Sequence, residues 1–180
     1  MARLQVVKGD ITQLDVDAIV NAANARLAGG GGVDGAIHRA AGDELYSACR
    51  RLGGCDTGSA KLTPGFNLLA RAIIHTVGPI WRGGNEGERE LLARCYKTCI
   101  TIAEDNNFHS IAFPAISCGV YGFPIELAVP IAVGAVRDAL SEDSSLQTVI
   151  FCCFDADILA LYQQQLSHAE SLCASEFPRK

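Results

Sequence analysis

The sequence predicts one three-layer α/β/α domain, and three observations carry that prediction. Short apolar runs alternate along the chain with longer segments of helical period, the pattern of a layered α/β fold. Glycine and proline punctuate them, and no internal repeat or low-complexity linker intervenes. The length, 180 residues, is that of a single domain burying close to ~70% of its unfolded surface.

The elements follow in order. "RLQVVKG" (3–9) and "DAIVNAA" (17–23) read as strands. "DGAIHRAAG" (34–42) and "DELYSACRRLGG" (43–54) read as helices, the second stopped by Gly53 and Gly54. Two further strands, "SAKLTPG" (59–65) and "RAIIHTVGP" (71–79), end at Pro64-Gly65 and Gly78-Pro79. Residues 85–108 place Leu91, Leu92, Cys95, Cys99, Ile102 and Ala103 at a helical period. "SIAFPAI" (110–116) is a strand, and residues 124–140 are a helix with Pro124 in its first turn. Pro130 should bend that helix or delay its start by a few residues. "QTVIFCCF" (147–154) is the sixth strand and "DADILALYQQQL" (155–166) the last helix. The domain is expected over 1–167, with residues 168–180 as a frayed tail.

Composition narrows the function. The hydrophobic fraction is 49% and the charged fraction 19%, values ordinary for a soluble globular chain. No apolar run approaches the ~18 residues of a membrane span, and the N-terminus lacks the pattern of a secretory signal, so a soluble cytoplasmic protein is expected. The eight cysteines read as buried reduced thiols: the chain is too long and core-rich to need a disulfide framework. They include no C-x-x-C pair, and Cys95 and Cys99 have no histidine nearby in sequence to complete a zinc set. The net charge is −5, and "RR" at 50–51 is the only basic cluster, so nucleic acid is not an expected partner. A phosphate-bearing ligand would therefore have to be held chiefly by backbone amides.

"GGGGVDG" (29–35) raises that possibility directly, because four consecutive glycines are entropically costly to order. Gly30, Gly32 and Gly35 satisfy G-x-G-x-x-G, but the dinucleotide fingerprint also needs an acidic residue ~20 positions on at a strand end. Asp56 stands there instead in the turn "GGCDTGS". No G-K-[ST] follows, which excludes a P-loop. A second glycine-bearing loop, "AISCGVYGF" (115–123), also runs into a predicted helix and also lacks lysine and arginine. Helix N-termini offer unpaired amides and partial positive charge, so two such loops could clamp a pyrophosphate without a cationic side chain.

"VVKGDIT" (6–12), "VDAIVNAAN" (16–24), "GGGGVDGAIH" (29–38), "HTVGP" (75–79) and "AISCGVYGFP" (115–124) occur in this order along one chain. Together they resemble the macrodomain family, from about residue 4 to about residue 166. They are most similar to the bacterial branch that hydrolyses O-acetyl-ADP-ribose and removes mono-ADP-ribose from acidic side chains. The resemblance implies a central mixed, mostly parallel sheet of about six strands. It implies ADP-ribose and O-acetyl-ADP-ribose as ligands, ADP-ribosylated proteins as further partners, and no cofactor or metal. Two other functions stay open beside the hydrolase: a reader that binds ADP-ribose without turnover, and a phosphatase acting weakly on ADP-ribose-1″-phosphate.

The resemblance also gives the motif residues roles. Gly30, Gly31, Gly32 and Val33, with Ser117, Cys118, Gly119, Val120, Tyr121 and Gly122, would line the diphosphate. Asp10 reads on its own as a turn or helix cap; the resemblance has it accept from the adenine amino group, with the Ile11 amide nearby. Phe154 reads as a core residue, or, by resemblance, as an aromatic against the adenine ring. Asn24 reads as a turn residue and Asp34 as a helix N-cap. In the hydrolytic branch those positions hold the distal ribose hydroxyls and orient or deprotonate the attacking water. A carboxylate with the usual pKa near ~4 is a weak base at neutral pH, so both roles stay open for Asp34. Asn21 is expected to bond loop backbone, His38 to face the site from one helical turn beyond Asp34, and His75 to be a satisfied buried histidine. Cys118 departs from the Thr or Ser that relatives more often carry, and reads as a tolerated small residue turned away from the ligand.

Overall fold

A computed structural model describes residues 1–175, with side chains through residue 167. Of the tail expected at 168–180, residues 176–180 and the side chains of 168–175 lie outside the described residues. Six strands form one sheet: β1 (Arg3–Lys8), β2 (Ala18–Ala22), β3 (Ala60–Pro64), β4 (Ala72–Thr76), β5 (Ser110–Phe113) and β6 (Thr148–Cys153). Their order is β1-β6-β5-β2-β4-β3, parallel throughout except for β3, which runs antiparallel to β4 at one edge. This is the mixed, mostly parallel sheet that the motifs imply.

Alternation along the inner strands sends side chains to two separate cores. Ile19, Ile73, Ala112 and Ile150 pack with Ile37 of α1 (Gly32–Ala41) and Leu45 of α2 (Asp43–Leu52). Their neighbours Val20, Ile74, Ile111 and Phe151 face the other way, onto α3 (Glu88–Asp105), α4 (Ile125–Ala139) and α5 (Ala156–Ser175). Strands buried on both faces read as continuous apolar runs, which is why "AIIHT" is buried at all five positions. None of the described helices is long and apolar enough to cross a membrane.

Four ends differ most from the sequence reading. α5 runs to Ser175, past the expected 166 and into the stretch read as tail. α1 begins at Gly32, so the last glycine of the run is its first residue and Gly31 its N-cap. α3 begins at Glu88 rather than 85, because residues 82–86 are wound around the Glu88 carboxylate. α4 does not start late: it is helical from Ile125, with Pro124 as N-cap, through an exposed Pro130 to Ala139. Pro130 lies early in the helix, where its missing N–H leaves only the Glu126 carbonyl without its usual partner.

Candidate functional site

Five parallel strands end at the same edge of the sheet, and the segments leaving them carry the candidate residues. Along the sheet these are Asp10 after β1, Phe154 after β6, the 114–123 loop after β5, the 23–31 loop after β2 and Val77–Pro79 after β4. From β1 to β2 is three strand spacings, about 14 Å at ~4.8 Å each. β2 and β5 are neighbours, yet α1 follows β2 onto one face and α4 follows β5 onto the other. Diverging connections leave a crevice beyond the strand ends, and open α/β sheets hold their ligands at such a switch point.

Asn24 shapes the first loop. Its Nδ2 donates to the Gly29 carbonyl (2.8 Å) and its Oδ1 accepts from the Ala28 amide (3.2 Å). The loop then crosses α1 so closely that a Cβ at Gly35 would lie 2.3 Å from the Gly30 carbonyl oxygen. Only glycine fits there, which accounts for the fifth glycine of the run. No side chain caps α1, and the amides of Gly30–Val33 find no acceptor among the described residues. Gly31 is extended (φ −93°) and a Cβ on it would meet nothing within 4 Å, so the protein's own packing does not require glycine at that position.

The second loop repeats this logic. Ser117 holds a left-handed conformation (φ 64°). Its hydroxyl is buried without a partner among the described residues, and a Cβ at Gly78 would lie 2.2 Å from it. Gly122 donates to the Gly119 carbonyl (3.0 Å) and Phe123 to that of Ser117 (2.9 Å), closing a turn. The amides of Ser117, Gly119, Val120 and Tyr121 remain without acceptors among the described residues. Val120 is fully exposed at the turn's tip. The Cys118 Sγ donates to the Ile116 carbonyl (3.4 Å), and burial pushes its thiol up to about 11, so it is not a thiolate at neutral pH.

Asp34 is neither an exposed residue nor the helix N-cap. It lies buried in the first turn of α1. Its Oδ1 accepts from Asn21 Nδ2 (2.8 Å). The His38 Nδ1–H is shared between that oxygen (3.0 Å) and the Asp34 carbonyl (2.9 Å). Oδ2 turns toward the first loop, 3.5 Å from where a Cβ of Gly30 would stand. Asn21 therefore does not bond loop backbone; Asn24 does that, and Asn21 holds the carboxylate. Behind Asn21 its Nδ2 also reaches His75 Nδ1 (3.1 Å), and His75 Nε2 reaches Thr63 Oγ1 (2.9 Å). Burial first, then the nearby His38, brings the His75 pKa down to about 4, so the ring is neutral. Its Nδ1 accepts from the amide, which leaves Nε2–H to donate to Thr63. Asn21 Oδ1 and His38 Nε2 are buried without partners among the described residues.

At the far end of the row, Asp10 caps the 3₁₀ turn Ile11–Gln13: its Oδ1 accepts from the Thr12 amide (2.9 Å) and hydroxyl (2.7 Å). Oδ2 keeps no partner among the described residues, and the side chain of Ile11 is buried in the core. Phe154, one residue past the Lys8–Cys153 register pair, is not a core residue; it is 58% exposed.

His75 is the satisfied buried histidine the sequence suggests; sequence reasoning missed its link to Asn21, Thr63 behind it, the tight fits at Gly35 and Gly78, and Glu88. Burial alone would raise the Glu88 carboxyl, but three amides hold it down to about 2: Arg82 (3.0 Å), Gly84 (2.7 Å) and Glu86 (2.6 Å). The signal for Glu88 was present in "RGGNEGE", an acid at a helix start behind flexible residues.

Comparison with known proteins places this arrangement. A macro domain family model matches residues 20–132. A macro domain-containing protein of Chlorobaculum tepidum is 56% identical over 164 residues, 91% of this chain and 95% of its own. The protein named O-acetyl-ADP-ribose deacetylase from Salmonella typhimurium is 55% identical over 170 residues, covering 92% and 95%. Among solved structures, the Oceanobacillus iheyensis macrodomain with ADP superposes with a TM-score of 0.87 at 42% identity, covering 92% of this chain and 90% of that one. The two bare glycine loops and the buried Asp34 carboxylate are thus set in a fold and a sequence of known kinship: the chain belongs to the macro domain family.

Proposed function

We propose that the chain binds ADP-ribose across the strand-end crevice and hydrolyses the acetyl ester of O-acetyl-ADP-ribose. ADP-ribose esterified to aspartate or glutamate side chains is its second substrate. One observation carries the reading: Asp34 is held by Asn21 with its Oδ2 toward a loop whose amides have no protein acceptor. A module that only bound ADP-ribose would need the amides but not the oriented carboxylate. The name of the Salmonella typhimurium relative and the ADP in the Oceanobacillus iheyensis structure support the same ligand class.

The residues divide the work along the sheet edge. Asp10 Oδ2, a pure acceptor, takes the adenine amino group, and the exposed Phe154 ring stacks on the base, a contact worth about 1–3 kcal/mol. The two sets of open amides hold the diphosphate, which suits a protein of net charge −5 with no cation in either glycine stretch, residues 28–33 and 115–123. The second amide hydrogen of Asn24 is left for a distal ribose hydroxyl. Asp34 Oδ2 then aligns a water on the ester carbonyl. The water oxygen bonds to the acyl carbon, the bond from that carbon to the ribose oxygen breaks, and the sugar oxygen takes a proton. A positioned base contributes about 10²–10⁴-fold, and fixing the ribose beside it adds an orientation term.

The test is acetate release from O-acetyl-ADP-ribose. Release well above the uncatalysed rate is expected, and faster than phosphate release from ADP-ribose-1″-phosphate at equal concentration. Tight ADP-ribose binding without acetate release would leave a reader, not an enzyme.

A further inference from the structure

The row of strand ends does not stop at Asn24. One strand further from Asp10, past β4, lies an open cavity of about 280 Å³ between Ala25, Tyr121 and residues 77–91. Ala25 follows the residue proposed to hold the distal ribose, and Tyr121 belongs to the second glycine loop. A ligand whose adenine sits over β1 and β6 and whose diphosphate spans β5 and β2 points its far end here. What is attached to that end is the acyl group.

The far wall of the cavity is built to be rigid. The amides of Arg82, Gly84 and Glu86 converge on the buried Glu88 carboxylate, and the Trp81 amide donates to the Tyr121 carbonyl (2.8 Å). The Trp81 ring packs on Phe123 with centroids 4.8 Å apart, and the Arg89 guanidinium lies 5.6 Å from that ring. None of this touches Asp34 or its partners, so the diphosphate loop and the wall form one unit independent of the carboxylate. Ala25, Val77, Pro79, Ile80 and Leu91 make a little over half of the lining apolar, and Thr57 lines it beside them. The two Glu88 oxygens are already filled by amides, and Arg82 pairs with Glu86 (3.7 Å) where both side chains are exposed. An acetyl group, three heavy atoms, would leave most of a space roughly nine times the ~30 Å³ share of one water unfilled.

We propose that this cavity is an acyl-group subsite, and that the protein hydrolyses O-acyl-ADP-ribose esters whose aliphatic chain is longer than acetyl. The proposal rests on the hydrolase reading above. The chemistry is unchanged: water adds to the acyl carbon, the ester bond to the ribose oxygen breaks, the free fatty acid leaves and the sugar hydroxyl is restored. Only the group held on the acyl side differs.

The experiment compares kcat/KM for O-acetyl- and O-butyryl-ADP-ribose on the wild-type chain and on two cavity-filling variants, Leu91→Trp and Thr57→Trp. Two extra methylenes entering this cavity should favour the butyryl ester on the order of tenfold. In each folded variant that preference should fall to about one, while kcat/KM for the acetyl ester stays within about twofold of wild type. Equal or poorer use of the butyryl ester by the wild type overturns the proposal. So does a folded variant that loses both activities in parallel. If neither ester is hydrolysed, it is the hydrolase reading that fails. Competition against ADP-ribose by its non-hydrolysable butyramido and acetamido analogues then decides the subsite, with tighter binding of the butyramido analogue expected and equal binding refuting it.

Discussion

Gly119→Ala separates what the ligand demands of the second loop from what the fold demands. A Cβ at Gly119 would meet no heavy atom within 4 Å, and the residue is not in the left-handed region. The methyl therefore has room and the backbone is permissive, so the variant should gain the ~0.4–1 kcal/mol that reduced freedom of the unfolded chain supplies. For a chain of 180 residues that is a melting temperature raised by about 1–4 °C. Binding should move the opposite way. The added methyl would stand where a phosphate oxygen must approach the unpartnered amides of Gly119 and Val120. Losing one charge-assisted hydrogen bond costs about 1.5–3 kcal/mol, a Kd for ADP-ribose raised ~10- to 150-fold. Thermal melting and titration calorimetry on the same preparation read both quantities. An unchanged Kd would show that the diphosphate does not rest on this loop. A fall of several degrees would show that the glycine serves the fold instead.

Other perturbations test the remaining parts. Asp34→Ala should lower acetate release by ~10²–10⁴-fold with ADP-ribose affinity little changed; an equal loss of binding would make Asp34 a structural residue only. Asn21→Ala removes the amide between Asp34 and His75, so kcat should fall with KM nearly unchanged. Chemical denaturation should show a loss of roughly 2–4 kcal/mol for the buried bonds, and full activity in that variant would remove Asn21 from the mechanism. Asp10→Ala should weaken ADP-ribose binding and cost about 1 kcal/mol as a lost cap, and an unaltered Kd would contradict base recognition. Glu88 has a folded pKa depressed to about 2 against an ordinary 4.5, so its contribution is present above pH 4.5 and disappears as pH falls toward 2. The stability gap between wild type and Glu88→Gln should therefore narrow over that interval in pH-dependent melting curves, and a gap that widens there would refute the assignment.

Much of the fold was legible because its signals are local. The six strands and five helices each carry their own period and stop residues, so errors fell only at ends. They arose where a tertiary contact moved the boundary, as when Glu88 gathers three amides and shortens the start of α3. The site was legible as a set of loops for the same reason: glycine runs and Asn or Asp after strands are visible in one dimension. Partnerships were not. Nothing in "NAAN" tells which asparagine turns into the sheet, yet β2 register buries Asn21 against His75 and leaves Asn24 at the strand's mouth. Gly35 and Gly78 look like ordinary turn residues until the chains they must clear, Gly30 and Ser117, are brought across from elsewhere.

That division between local and tertiary signals also separates the two parts of the proposed site. The amides that would hold a diphosphate belong to exposed glycine loops, where the backbone is bare and substitutions alter ligand contact before they alter packing. The carboxylate belongs to a buried chain running from Thr63 through His75 and Asn21 to Asp34, with His38 on its other side. Every member of that chain is at least nine-tenths buried, so it sets one orientation for the carboxylate irrespective of ligand. Under the proposed function, affinity and turnover would draw on separate residues: a glycine loop could lose grip without disturbing the carboxylate, and the buried chain could be broken while the loops still bind. A chain that kept the loops but lost Asn21 or Asp34 would be a binder. This one retains both, joined at a switch point where two adjacent strands send their helices to opposite faces, and that juxtaposition is what supports proposing hydrolysis rather than recognition alone.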